Sequence, residues 1–301
     1  MSLTKLTELV HVYRGGVNFA LVEAPGQRLI LIDSGLDSSN ARKALRPFLE
    51  SGWTLAAIIN THSHADHIGG NADLVRRTGC KVYAPARERP FILWPELESI
   101  GLYGGVNPPP DLKVKFLLAQ PTPEVTELPA APCTITLEGV TMELIPTPGH
   151  ALEQVAVAVD GVLVVGDALF MPDLIEKHPV IFLVNVAEYF GSLDRLAARP
   201  ERYVLPGHGD LIDREAQSLA AIIEENRRAM LRMQEAIETA LREPLCLEEL
   251  LIRVVGILGK RLEGEAQYFL DRAALSAHVS YLIESGRLRV TYAEGRRYLK
   301  C

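Results

Sequence analysis

The chain has 301 residues, 48% of them hydrophobic and 23% charged, with a formal net charge of −7. This length is enough for one large domain with a smaller one attached, and the negative charge argues against a nucleic-acid surface over the whole chain, because such surfaces carry an excess of Lys and Arg. We find neither a signal-peptide pattern nor an apolar run of 18 residues, and therefore expect a cytoplasmic protein without a membrane span.

The first third of the chain predicts strands that alternate with helices. Short apolar runs indicate the strands, and an apolar period near 3.6 residues indicates the helices. The predicted elements are strands at 17–23 and 28–33, a helix at 39–51, a strand at 55–60, a helix at 68–78 and a strand at 81–84.

Residues 85–130 are rich in proline, which prevents long regular elements. Because a long irregular stretch inside a compact domain is usually functional, we interpret it as an insertion that covers a pocket. Strands resume at 134–137, 141–146, 154–159, 162–165 and 203–205. Runs of strands followed by helices, twice over, predict an α/β fold with two sheets covered by helices on their outer faces.

The composition changes near residue 213. Residues 214–243 predict one long connecting helix that ends at Pro244. Residues 244–301 predict three short helices and a terminal hairpin, which is the order of elements in a winged-helix domain. We therefore divide the chain into a catalytic domain at 1–213, a connecting helix at 214–243 and a small winged-helix-like domain at 244–301.

A dense group of potential metal ligands follows the predicted strand at 55–60. The segment 61–67 reads Thr-His-Ser-His-Ala-Asp-His. His62 and His64 are two residues apart, so in an extended segment both point to the same side, whereas Asp66 and His67 come where the chain turns into a helix. Neutral imidazole and carboxylate are suitable zinc ligands. Since protonated histidines would repel one another at this density, the segment indicates a metal site.

Three further segments place a candidate ligand directly after an apolar strand and a glycine. These candidates are His150, Asp167 and His208, which follow Gly149, Gly166 and Gly207. Glycine permits a tight turn and lets a metal ion come close to the backbone. Together with residues 61–67, these segments predict a single metal centre.

In these motifs the sequence resembles the metallo-β-lactamase superfamily, in its glyoxalase II-like branch, over roughly residues 10–212. The resemblance implies an αββα sandwich with the metal ions at one edge of the two sheets. The implied ligand sets are His62, His64 and His150 for one zinc ion, Asp66, His67 and His208 for a second, and Asp167 as a bridge between them. Asp33 matches the family's aspartate near the site, and we expect it to orient a ligand through a hydrogen bond.

The resemblance predicts a binuclear zinc-dependent hydrolase in which a hydroxide held between two metal ions is nucleophilic at neutral pH. Asp66 and Asp33 are the acidic residues that we assign to catalysis. The expected substrate is a small thioester, ester or lactone, and iron or manganese are the alternatives to zinc. No cysteine occupies a motif position; Asp167 stands where some lactamases carry a sulfur ligand, which argues against an actual β-lactamase.

Two other functions stay open at this point. An RNA endonuclease or phosphodiesterase is suggested by the winged-helix resemblance, since residues 245–301 carry a net charge of +2 and the terminal hairpin is basic. An iron-dependent persulfide dioxygenase is suggested because that branch of the superfamily shares these motif residues. The sequence also leaves open whether the chain forms a homodimer. For contacts with the substrate, Tyr103, His178 and Tyr189 are the candidates.

Overall fold

The computed structural model describes residues 2–301, which form two β-sheets packed face to face with helices on both outer sides. The predicted α/β class and the four-layer αββα arrangement are confirmed. Among residues 2–301, no helix has both the length and the apolar composition needed to cross a membrane.

The first sheet has seven strands that lie side by side in chain order. Its strands are β1 (Ser2–Lys5), β2 (Val10–Arg14), β3 (Phe19–Ala24), β4 (Arg28–Ile32), β5 (Thr54–Ile59), β6 (Lys81–Ala84) and β7 (Thr126–Glu127). The first four pair antiparallel and the last four pair parallel. The pair β1–β2 was not predicted, and β2 includes His11.

The second sheet has six strands in the order β13-β12-β11-β10-β9-β8. Its strands are β8 (Cys133–Leu137), β9 (Val140–Pro146), β10 (Val155–Val159), β11 (Val162–Gly166), β12 (Tyr203–Pro206) and β13 (Ile212–Asp213). Only β11 and β12 pair parallel; the other neighbours pair antiparallel. The turn at Asp160-Gly161 joins β10 to β11 as a hairpin.

Alternation along the strands creates the layers, because successive side chains of a strand point to opposite faces. In β4, Leu29 and Leu31 pack on the outer helices, while Ile30 and Ile32 pack between the sheets. The core between the sheets is completed by valines of β10 and β11. Apolar residues on both faces of these strands therefore bury both sides of each sheet.

The outer helices belong to two sets. Those on the first sheet are α1 (Ser38–Glu50), α2 (Ala65–Ile68), α3 (Asn71–Thr78) and α4 (Arg89–Leu93), and those on the second are α6 (Pro172–Lys177), α7 (Val186–Ala197) and α8 (Leu219–Ala240). The single helix predicted at 68–78 is in fact the separate α2 and α3. The long helix begins at Leu219 rather than at residue 214, because the side chain of Ser218 caps it by accepting a hydrogen bond from the Ala221 amide.

The proline-rich segment 85–130 contains little regular structure, as predicted. It holds α4, α5 (Glu96–Leu102), a 3₁₀ turn (Pro110–Leu112) and β7. Strand β7 extends the edge of the first sheet next to β6, so the segment returns to the fold after covering one end of it.

The C-terminal region contains two helices rather than the three that were predicted. These are α9 (Leu247–Ile257) and α10 (Glu265–Glu284), followed by the hairpin β14 (Arg289–Ala293) and β15 (Arg296–Lys300). Helix α10 contacts α7, α8, α9 and α5, and continuous packing on several sides keeps it as one helix of 20 residues. The winged-helix assignment is not confirmed, and the domain boundaries stay predictions.

Candidate metal centre

The first group of candidate ligands lies in the loop after β5 and at the start of α2. His64 has extended backbone angles and precedes the helix, in which Asp66 and His67 occupy the first and last turn. His62 and His67 are fully buried, and Asp66 is 5% exposed. The change from extended chain to helix therefore turns the four side chains towards one centre.

The second group comes from the other sheet. His150 follows β9, Asp167 follows β11 and His208 follows β12, so three strand ends place these side chains at the edge where β5 also ends. The site thus takes ligands from both sheets.

Two glycines show how closely these loops pack. A Cβ atom on Gly207 would lie 2.1 Å from Asp167 Oδ1 and 2.7 Å from His67 Cε1. Gly149 has a φ of +125°, and a Cβ atom there would lie 2.5 Å from the backbone nitrogen of Tyr189. Glycine is thus required before His150 and His208 because any side chain would displace the ligands or the core.

The seven candidate ligands form three overlapping groups, in each of which the ligand atoms lie within 4.8 Å of one another. The groups are His62 with His64 and His150; His62 with His67 and Asp167; and Asp66 with His67 and His208. Asp167 Oδ2 lies 3.5 Å from Nε2 of both His150 and His208. This carboxylate therefore lies between the first group and the last.

Three of these ligand atoms lack a hydrogen bond although they are buried. They are His62 Nε2, His67 Nε2 and Asp167 Oδ1. Buried polar atoms without a partner are costly and uncommon in folded proteins, and here they converge on one point. A bound cation would satisfy all three, so the residues present fit a metal site.

Hydrogen bonds on the far side of the imidazole rings set their tautomers. Nδ1 of His150 donates to the Phe182 carbonyl at 2.9 Å, and Nδ1 of His208 donates to the Gly16 carbonyl at 2.8 Å. Nδ1 of His67 donates to Asp33 at 2.9 Å. Because a neutral ring carries one proton, Nε2 of each ring is left with a lone pair that faces the centre.

Asp33 connects two of the ligands. Besides His67, its carboxylate accepts hydrogen bonds from the Thr61 amide and the Thr61 hydroxyl, both at 2.8 Å. Since that hydroxyl is occupied as a donor, it accepts from Nδ1 of His62 at 3.0 Å. One buried carboxylate thus connects His62 and His67 through hydrogen bonds; that it orients metal ligands stays a prediction.

The histidines of the site differ in their pKa values. Burial lowers the pKa of His62 well below its usual range and that of His150 to about 4. Burial also lowers the pKa of His67 and His208, but the Asp167 carboxylate and its acidic neighbours outweigh it. They raise the pKa of His67 well above its usual range and that of His208 to about 10. The carboxylates therefore hold protons on the two histidines nearest to them.

Glu88 is a further residue of the site that the sequence did not reveal. It is 1% exposed, and its carboxylate accepts hydrogen bonds from the amide and hydroxyl of Ser63 and from the amide of Glu153. Ser63 lies between His62 and His64, and Glu153 lies three residues after His150. Glu88 thus connects two ligand loops, but a lone glutamate in an irregular segment gives no local signal of this.

A cavity of about 520 Å³ opens beside the cluster, with His64 in its wall. None of the three predicted substrate contacts lines it. Tyr103 packs edge-on against Phe269 of α10 at 5.1 Å between ring centroids, and His178 is exposed at the end of α6. Tyr189 is fully buried and its hydroxyl donates to Asn226, so it has no free surface with which to contact a substrate.

The fold and the cluster define a class of protein: a four-layer αββα sandwich with a His/Asp metal-binding site at one edge. The sequence model of the metallo-beta-lactamase superfamily matches residues 12–208 of the chain. The chain therefore belongs to the metallo-β-lactamase superfamily, and the resemblance seen in the motifs is confirmed.

Curated relatives support the glyoxalase II-like branch. The chain is 31% identical over 144 residues to a hydroxyacylglutathione hydrolase of Rhodopseudomonas palustris (strain BisB18), covering 46% of this chain and 45% of that protein. It is 32% identical over 178 residues to a hydroxyacylglutathione hydrolase of Maricaulis maris (strain MCS10), covering 56% and 55%. The chain thus spans about half the length of these relatives.

The fold is also similar to a solved structure along its whole length. A metallo-beta-lactamase family protein from Thermus thermophilus superimposes with a TM-score of 0.71 at 24% identity, covering 100% of this chain and 98% of that one. At this identity the likeness concerns the fold alone, and it includes the C-terminal helices and hairpin.

Proposed function

We propose that the protein is a binuclear, zinc-dependent hydrolase of small thioesters. The observation that carries the proposal is the convergence of three buried ligand atoms without hydrogen bonds, two of them on imidazole rings whose other nitrogen is hydrogen-bonded to the protein. The hydroxyacylglutathione hydrolase relatives support a thioester among the expected acyl substrates.

The proposed ligands are those that the motifs predict. His62, His64 and His150 would hold one ion, Asp66, His67 and His208 would hold the other, and Asp167 between them would contact both. Metal ions at this site supply a water-derived nucleophile at neutral pH, because they lower the pKa of bound water to about 7.

The chain's own residues would orient this centre and keep it rigid. Asp33 keeps His62 and His67 in the ligating tautomer, and the carbonyls of Phe182 and Gly16 do the same for His150 and His208. A thiolate is a good leaving group, since free thiols have a pKa near 8.5. The site therefore needs no side chain that protonates the leaving sulfur.

The test uses alanine variants of two proposed ligands and of one exposed aspartate as a control. We expect His62→Ala and Asp167→Ala to lose metal content, measured by mass spectrometry of the purified protein, and to lose turnover of an acetyl thioester, a hydroxyacyl glutathione thioester and a lactone. The control is Asp173→Ala, which removes an exposed carboxylate in the first turn of α6 and should change neither readout.

Two results would overturn the proposal. One is retention of metal and full turnover in both ligand variants, which would refute the site. The other is a metal-loaded wild-type protein that hydrolyses none of the three substrates, which would refute the reaction.

A further inference from the structure

The cavity beside His64 has walls from three parts of the chain that are distant in sequence. The insertion contributes α5 and the residues around it, the loops after β9 and before α7 contribute a second wall, and α10 of the C-terminal region contributes the third. Its volume of about 520 Å³ lies within the range of small-molecule sites. Its position next to a predicted ligand makes it the natural site for the rest of the substrate.

The walls are largely apolar. Phe91, Leu97 and Leu102 line the side formed by the insertion. Apart from Arg272, the side chains of α10 that line the cavity are small, among them Ala273 and Ala277, which lie one helical turn apart. Small residues on this face leave open the space that larger ones would fill.

The charged groups of the cavity are unsuited to an anionic ligand. The Glu88 carboxylate is already used by three hydrogen bonds, and Arg272 pairs with Glu248 at 3.5 Å. Within residues 2–301, the Glu98 carboxyl makes neither an ion pair nor a hydrogen bond. Burial, together with the carboxylates of Asp66 and Glu88, raises its pKa well above the usual range. A ligand with its own carboxylate would lose its hydration in these apolar surroundings and find no unpaired cation among the described residues of the cavity wall to compensate.

We infer that this cavity binds the acyl group of the substrate and selects acyl groups that are apolar and uncharged. The inference rests on the proposed thioesterase function and names its substrate class: thioesters of medium-length or aromatic acids rather than acyl groups that end in a carboxylate. Leu97, Leu102 and Ala277 determine the length that fits, and the apolar walls disfavour a charged acyl end.

The first experiment measures kcat/KM for straight-chain acyl thioesters of one neutral thiol, from acetyl to dodecanoyl. Each methylene that enters an apolar site contributes about a 4-fold gain, so kcat/KM should rise at each step until the cavity is full. Ala277→Leu and Ala273→Leu should reduce the ratio of octanoyl to butanoyl turnover by about 10-fold. The matched control is Ala266→Leu, in the first turn of α10 and outside the cavity wall, which should keep the ratio.

The second experiment tests binding without hydrolysis. It uses alkyl methyl ketones, in which a methyl group replaces the thiol part, and measures their dissociation constants by calorimetry. Affinity should rise with chain length in the wild type and should rise less in the two leucine variants. This result would support the cavity assignment even if no thioester were hydrolysed, in which case the proposed function alone would fail.

The third experiment tests the charge. A hexanoyl thioester should be preferred to an adipoyl thioester by at least about 10-fold, because it is costly to bury a carboxylate in an apolar cavity without a partner cation. A flat dependence on chain length in both turnover and binding, or a preference for the adipoyl thioester, would overturn the inference.

Discussion

Asp33 holds an unusual backbone conformation at the end of β4. Its φ is +62°, in the left-handed region where most side chains are disfavoured but Asp and Asn are tolerated. This conformation turns its carboxylate inward, where it accepts hydrogen bonds from Thr61 and His67. The local strain is thus associated with the orientation of a candidate ligand, a common feature of functional sites.

Asp33→Asn tests this role at the scale of a single residue. Asparagine keeps the size and tolerates the backbone angle, but its amide group presents hydrogens to donors that need an acceptor. We expect zinc affinity, measured by competition with a chromophoric chelator, to fall by about 10- to 100-fold, as is typical when the partner of a ligating histidine is removed.

A matched control separates this effect from the general loss of a carboxylate. Asp160 also has a positive φ, and its carboxylate accepts a hydrogen bond from the Leu9 amide in an exposed turn. Asp160→Asn should leave zinc affinity unchanged. Equal affinity of the Asp33→Asn protein and the wild type would show that Asp33 does not orient a ligand.

At the scale of elements, the irregular insertion is connected to the site through Glu88. Its Oε2 accepts both hydrogen bonds from Ser63, at 2.5 and 3.1 Å, and its Oε1 accepts the one from Glu153 at 2.8 Å. The residue just before α4 therefore fixes the loop that carries His62 and His64 and the loop that carries His150. A segment without long helices or strands can in this way determine ligand positions.

Glu88→Gln should weaken both connections, because an amide has one accepting oxygen and cannot serve both sides. We expect the free energy of unfolding in urea to fall by about 2 kcal/mol and zinc affinity to fall by about 10-fold. Glu127→Gln, which changes an exposed carboxylate paired with Arg89, is the control for both. A loss of stability with unchanged zinc affinity would mean that Glu88 has a structural role only.

The elements that carry ligands were predictable because their signal is local. Each is an apolar run followed by glycine and a ligand, as in β11, where the strand ends at Gly166 just before Asp167. Strand β2 was missed because His11 interrupts its apolar pattern; in the structure, this side chain is buried against Glu23 and the ring of Phe48. The Nε2 atom of His11 thus has a hydrogen-bond partner in Glu23, which the local sequence pattern does not show.

The cavity could not be predicted from local patterns. Its walls meet because α5 and α10 pack together, although about half of the chain separates them. Helix α10 was expected as shorter pieces; its buried face includes the polar side chains of Asp271 and His278, which interrupt the apolar pattern. The sequence likewise does not show that Tyr189, a candidate for contact with the substrate, has a fully buried side chain.

At the scale of the whole molecule, the candidate ligands connect the two sheets. Four follow β5 of the first sheet, and the other three follow strands of the second. Metal binding should therefore stabilise the sandwich as a unit, by about 4 kcal/mol when the free metal concentration is 1,000 times the dissociation constant.

The charge distribution of the site makes this binding depend on pH. In chelator-treated protein, the raised pKa values of His67 and His208 mean that both rings are protonated at pH 7.5. The attraction of the protonated rings to Asp66 and Asp167 stabilises the folded metal-free protein. This stabilisation is complete below a pH of about 6.5, and it is lost as the pH rises through about 10. A metal ion needs the neutral rings, so binding must displace these protons.

We therefore expect zinc binding at pH 7.5 to release about two protons per chain from these rings, in addition to the proton lost by the metal-bound water, counted by calorimetry in buffers with different enthalpies of ionisation. His62 and His150 should not contribute, because burial keeps their pKa values low and both rings neutral at this pH. Asp66→Asn removes a carboxylate that raises the pKa of His208, so this variant should release fewer protons as well as bind zinc less tightly. Release of no protons by the wild type would show that His67 and His208 are already neutral, and that the acidic residues do not control their charge.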